Sequence, residues 1–222
     1  MKTSILKLTT LSFVFLILTI ANSKAQTFKI KGGLNLANML MKDEDGAFTE
    51  GKKTKLNLHA GIMAEQPITD LVSFETGLLL SEKGFKTDED EDDYSSRLNL
   101  LYADIPLTLK YTRDIESYKV YGIFGPYVGI GLSGKTKTTE KYNGRTETNK
   151  TSIKWGSDQN NDDLKRLDYG LTVGTGLVID NIDLGISYDL GLANISPYTG
   201  EGVKIKNRIL KFSIGYCFGS RK

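Results

Sequence analysis

The chain has one cysteine, one histidine, one tryptophan and four prolines in 222 residues. A lone cysteine, Cys217, rules out an internal disulfide, so the fold must hold without staples. It is read as a small residue on a strand. Beyond the first two dozen residues, no apolar stretch approaches the roughly 20 residues that a membrane-spanning helix needs. Helical periodicity of any length is also missing. If this chain sits in a membrane, it does so as strands.

An excess of one charge sign is likewise lacking. Setting aside Lys2, Lys7 and Lys24 takes 29 basic residues to 26, against 27 acidic. Such a balance gives no case for a nucleic-acid partner. Those three lysines belong to an N-terminal segment with its own logic. Lys2 and Lys7 form a positive region, Leu11–Ile20 (LSFVFLILTI) is apolar, and Ser23-Lys24-Ala25 offers small residues at a cleavage site. Residues 1–25 are therefore expected to be a signal peptide, and residues 26–222 the single exported domain. No cysteine lies at the cleavage site, which argues against a lipid anchor.

What the chain does have is alternation. From Ile182 to Leu192 the even positions read Ile, Leu, Ile, Tyr, Leu, Leu, while the odd ones from Asp183 to Ala193 read Asp, Gly, Ser, Asp, Gly, Ala. Period two with two unlike faces is the mark of a strand between two environments. The stretches 168–179 and 210–218 repeat the pattern. Five further segments fit, giving strands near 27–38, 54–65, 72–84, 98–111, 118–133, 167–179, 182–195 and 207–218.

The links between them alternate long and short. Gln66–Leu71, Thr112–Ser117 and Asp180-Asn181 are short; about 39–53, 85–97, 134–166 and 196–206 are long and polar. Short turns at one end and long loops at the other belong to an outer-membrane barrel. With eight strands both termini fall on the short-turn side, which is expected to be periplasmic.

The faces decide which way the wall points. One face carries Gly, Ser, Thr and charges, among them Lys29, Lys31, Glu65, Glu75, Asp104, Lys110, Asp168, Asp183, Asp189 and Lys211. Glycine makes a poor solvent coat, but small residues and paired charges fill a narrow barrel well. The other face is apolar, and its exceptions, Glu82 and Arg208, fall near loop ends. There a lipid-facing charge costs ~0–1 kcal/mol rather than the ~2–4 kcal/mol of the midplane. Phe28, Phe74, Tyr111, Tyr118, Tyr216 and Phe218 gather where one interface should lie. The apolar face is thus expected to meet lipid, and closure follows, since an open edge in hydrocarbon would strand backbone donors and acceptors. The expected fold is all-β: a closed antiparallel transmembrane β-barrel of about eight strands in an up-and-down meander. Pro106 and Pro126 lie within expected strands, where a bulge or weak pairing is expected. Leu100 and Leu101 cannot both face out.

The wording of the segments resembles the Bacteroidetes outer-membrane β-barrel domain family, often called PorT-like. The matching phrases are Lys31–Asn38 (KGGLNLAN), Glu65–Lys83 (EQPITDLVSFETGLLLSEK), Tyr102–Tyr111 (YADIPLTLKY), Gly125–Lys135 (GPYVGIGLSGK), Asp168–Ile195 and Asn207–Phe218 (NRILKFSIGYCF). The resemblance implies an eight-stranded outer-membrane barrel of the cell envelope, some relatives of which assist a gliding-associated secretion system. It carries over no catalytic residues.

Chemistry is sparse. His59 is read as part of a polar lumen, since a barrel protease would need a histidine partnered by acids at the outer rim. Glu65, Glu75 and Asp104 are read as partners of Lys29, Lys31, Lys110 and Lys211 in an internal ion-pair network, where losing one partner is the costly event. Asp88–Asp93 (DEDEDD) lacks the glycine and spacing of a calcium loop and is read as a solvated charge run. The third long loop is basic, with Lys135, Lys137, Lys141, Arg145, Lys150 and Lys154, and could attract lipid phosphates or fold against the acidic loop. Trp155 within it is a candidate anchor for a partner or the membrane interface. No catalytic, cofactor-binding or metal residues and no cofactors are expected.

The expected function is therefore non-enzymatic: a monomeric structural or interaction module with four external loops. Its expected partners are outer-membrane lipid and lipopolysaccharide, with a secretion or envelope-assembly machine as the candidate protein partner. Small-solute transport through a narrow pore, and a rim-sited hydrolase or acyltransferase, are the alternatives.

Overall fold

The computed structural model describes residues 26–47, 52–88, 94–142 and 145–218. The expected signal peptide and residues 89–93 of the acidic run lie outside these. Eight long strands follow one another: β1 (Thr27–Lys42), β2 (Lys55–Pro67), β3 (Val72–Lys83), β4 (Tyr94–Ile115), β5 (Tyr118–Tyr142), β6 (Leu167–Ile179), β7 (Ile182–Gly191) and β8 (Lys204–Phe218). Each pairs antiparallel with its neighbours in sequence. β8 returns to β1, from Phe28 opposite Phe218 to Lys42 opposite Lys204. The sheet is thereby a closed eight-stranded meander, as the alternation and loop lengths led one to expect.

Short strands at Lys52–Lys53, Lys86–Asp88 and Arg145–Ser152 extend the sheet beyond the ring at its long-loop end. The third loop is thus largely a hairpin, with Arg145–Ser152 folded back on Lys135–Tyr142. At the other end the turn between β4 and β5 shrinks to Glu116-Ser117, because Thr112–Ile115 stays paired with Tyr118–Tyr121. Those residues have no apolar alternation, yet their backbone groups complete the ladder. Both termini of the ring, Thr27 and Phe218, stand at this short-turn end.

The wall has its apolar side outward. Ile62 is 64% exposed and Leu56 61%, while Lys83, Asn35 and Asp168 are fully buried inside. Pairing lapses where the prolines lie. Between β3 and β4 it skips from Leu107 to Asp104 across Pro106, and between β4 and β5 from Pro106 to Leu109, opposite Pro126 and Gly125. The register resumes unshifted, so the prolines cost hydrogen bonds without making a bulge. The register shift comes instead at Leu101/Tyr102, where β5 carries an extra residue, Leu132. Leu98 and Leu100 turn inward with Tyr102, and Leu101 stays on the outer face.

Candidate functional site

The lumen is the chemically richest place in the molecule. Near the short turns, Lys29 bonds Glu75 at 2.8 Å and also Asp183. Lys110 lies 2.9 Å from Glu65 and 3.9 Å from both Glu75 and Asp183. The Tyr121 hydroxyl donates to Asp183 at 2.6 Å, and the Lys110 ammonium sits 4.3 Å from the centre of the Tyr121 ring.

A second cluster occupies the long-loop half. Lys83 reaches Asp104 at 2.8 Å and Asp168 at 2.9 Å, and Lys211 reaches Asp189 at 2.5 Å. Thr172 and Asn207 donate to Asp189 and Asp168, each at 2.8 Å. Each carboxylate thus comes from a different strand than its lysine, so the charges tie distant parts of the ring together. Buried pairs of this kind add little net stability over apolar packing, but removing one partner is expensive.

Between the clusters His59 reaches Asn35 Oδ1 at 2.7 Å and Ser213 Oγ at 3.0 Å. Gly33 lies beside both His59 and Ser213 in the register. A Cβ on Gly33 would stand 2.9 Å from the imidazole Cε1 and 1.9 Å from the Phe212 carbonyl oxygen. The glycine therefore makes the space through which the histidine crosses. Its hydrogen-bond partners are an amide and a hydroxyl, not a carboxylate, and it lies far from the rim. Between these groups remains a cavity of about 20 Å³, bordered by Lys31, His59, Glu75 and Asp189. A space of that size holds about one water.

Toward the long loops the lumen changes character. Met39, Met41, Leu98, Leu100, Tyr102 and Ile195 form an apolar cluster inside the mouth. Trp155 descends from the third loop onto it. A Cβ on Gly131 would stand 2.5 Å from the indole, so glycine is what admits the ring. Arg166 holds the Gly131 carbonyl at 3.0 Å and lies 6.0 Å from the indole centre. The loop tip beyond is tied by Asp158 and Asp162, with the Asn161 amide and backbone N–H groups holding the Asp158 carboxyl below its usual range. Sequence reasoning missed this cap. Its one trace was the pair Leu100-Leu101, which forced one leucine inward.

Among the described residues, no group of three or more His, Cys, Asp or Glu is placed to hold a metal ion. Of the residues read as lumen-facing, Lys29, Lys31, Glu75, Asp104, Lys110, Asp168, Asp183, Asp189 and Lys211 are buried in the interior. Glu65 sits at its short-turn edge, bonded by Ser73 and Lys110. In the basic loop Trp155 packs toward the mouth, while Lys135, Arg145, Lys150 and Lys154 stay exposed.

A closed ring with an apolar outside, a paired polar inside and one rim of extended loops defines a transmembrane β-barrel. The chain belongs to the outer membrane protein beta-barrel domain family, whose pattern matches residues 21–196. Among solved structures it is similar to the outer membrane protein OprG of Pseudomonas aeruginosa, at 15% identity over 90% of this chain and 100% of that one, with a TM-score of 0.44. It is also similar to Ail, the attachment invasion locus protein of Yersinia pestis (16%, 87% and 99%, TM-score 0.34). Neisserial surface protein A matches at 15% identity over 87% of this chain and 97% of that one, with a TM-score of 0.36. No curated protein matches the sequence significantly.

Proposed function

We propose that the protein is a closed, non-enzymatic interaction barrel of the outer membrane, which displays four long loops outside and keeps its termini and short turns in the periplasm. The observation that carries this reading is the lumen. Charges line it, most of them paired across strands, with Lys31 beside an interior cavity of about 20 Å³, and an apolar cap with Trp155 lies over the mouth. An eight-stranded ring encloses little beyond its own side chains, so the described residues leave neither a permeation path nor a substrate cleft in the interior. Function then falls to the loops and the turns.

The PorT-like wording of six segments favours service to a secretion or envelope-assembly machine as the more specific role. Native affinity purification from outer membranes in mild detergent tests it. Specific recovery of secretion or assembly components is the expected result; repeated recovery of the barrel alone would overturn that role.

A further inference from the structure

Beyond the lumen and the loop tips, the outer wall carries an ordered array of positive charge. Residues directly opposite each other on neighbouring strands lie on the same face of a sheet. Lys53 stands opposite Lys86, Lys86 opposite Arg97, Arg97 opposite Lys137, and Lys137 opposite Lys150. Five basic residues thus form one row across five adjacent strands, about 19 Å long at ~4.8 Å per strand. Lys135 stands one outward position below Lys137.

The row faces outward. On β4 the lumen takes Leu98, Leu100 and Tyr102, leaving Arg97 and Asn99 in the column that continues Leu101 to Tyr111. The two glutamates of the hairpin, Glu140 and Glu147, oppose each other an odd number of residues from Lys137 and Lys150, and so belong to the other face. Along the first hairpin strand, charge is sorted by side: basic at 135 and 137, acidic at 140.

A second group continues the array around the ring. On β8, Arg208, Lys206 and Lys204 succeed one another on the outer face above Leu210, and Lys204 is opposite Lys42 of β1. The array runs from β8 through β1 to the hairpin after β5. The outward positions of β6 and β7, from Leu167 to Ile179 and Ile182 to Leu190, hold no basic residue. Lys165 and Arg166 lie directly before β6.

Its height identifies what it meets. Arg97 stands four residues beyond Leu101, which is about 13 Å along the strand and about 10 Å along the barrel axis at a tilt of ~40°. Leu101 to Tyr111 supplies the apolar band below it. The headgroup layer of a bilayer is about 5–8 Å thick on each side of the hydrocarbon, and lysine and arginine stems bend back toward it. The row thus stands just above the layer, within reach of side chains that bend back into it.

We propose that this collar binds the phosphate groups of outer-leaflet lipid, fixing phosphorylated headgroups against the barrel. The assignment goes beyond the interaction role proposed above and holds whether or not a protein partner exists. Lys53 and Lys86 engage further groups as well, so the test rests on the others. The full-length barrel, folded in zwitterionic detergent, is titrated with diphosphorylated lipid A in mixed micelles and with the same lipid lacking phosphate. Two variants are compared, one carrying Arg97→Gln, Lys137→Gln and Lys150→Gln, the other Lys204→Gln and Lys206→Gln. Lys119→Gln, at the opposite end, is the control.

The expected result is preferential binding of the phosphorylated lipid, weakened by salt. The triple variant should lose about tenfold or more in affinity, with unboiled gel mobility unchanged. Equal binding of the phosphate-free lipid, or wild-type affinity in both variants, would overturn the proposal. Displacement of lipid A by inorganic phosphate at comparable concentration would also overturn it, in favour of a soluble-anion site.

Discussion

Trp155, carried by the third loop, meets Tyr102 of β4 edge to face, with ring centroids 5.7 Å apart and planes at 88°. The contact joins a loop to the barrel wall inside its mouth. Aromatic pairs in this geometry contribute about 0.5–1.5 kcal/mol beyond the area they bury.

Because Trp155 is the only tryptophan, its fluorescence reports on the cap alone. Emission from the folded protein is expected to be blue-shifted and weakly quenched by acrylamide. Tyr102→Ala should shift it toward the red and raise quenching severalfold while the barrel keeps its unboiled gel mobility. A fully quenchable indole in the wild-type protein would mean that the cap is not formed.

Lys83 lies between Asp104 and Asp168 with no exposure to solvent. Lys83→Met leaves two buried carboxylates, with Lys211 near only the first, at 3.9 Å. The expected cost is about 3–5 kcal/mol, read as a lower urea midpoint for the barrel in detergent. Adding Asp104→Asn and Asp168→Asn should recover most of it. A midpoint equal to wild type for Lys83→Met alone would sink this account.

The filled lumen makes a prediction for electrophysiology. In planar bilayers the protein should give no stable open level. A large, reproducible single-channel conductance would show that the cap or the charge network yields, and would revive the transport reading.

Cys217 is buried on the inner face, opposite Lys29 near the short-turn end. Maleimide should label it only after boiling, in step with the shift from the compact to the unfolded gel band. Rapid labelling of the unboiled band would place the thiol outside the lumen.

The ring and its polarity were legible because alternation survives wherever two unlike environments flank a strand. Ile182–Leu192 announces itself this way, and so do the buried charges from Lys29 to Lys211. The ends of β4 and β5 were not legible. Past the lipid band both faces are wet, so Thr112–Ile115 and Lys135–Tyr142 read as loop although their backbones continue the ladder. The cap escaped for the converse reason. Met39, Met41 and Leu98 put apolar side chains on the face that is polar lower down, and a two-environment rule has no third state for a dry mouth. The cationic row is invisible along the chain, since its five members come from five strands and meet only through register.

The seam between β1 and β8 also bears on how the molecule is made. Phe28 pairs with Phe218 and the zipper runs on to Lys42 and Lys204, so the contact that completes the ring joins the first strand to the last. Contacts of such separation form slowly, because the ends of a long loop must be brought together first. Until then both terminal strands keep bare edges, the kind that recruit other chains. A chain truncated before β8 leaves β1 and β7 with bare edges and is expected to aggregate rather than insert. Assembly is all or nothing: the eighth strand of the ring is the one that closes it.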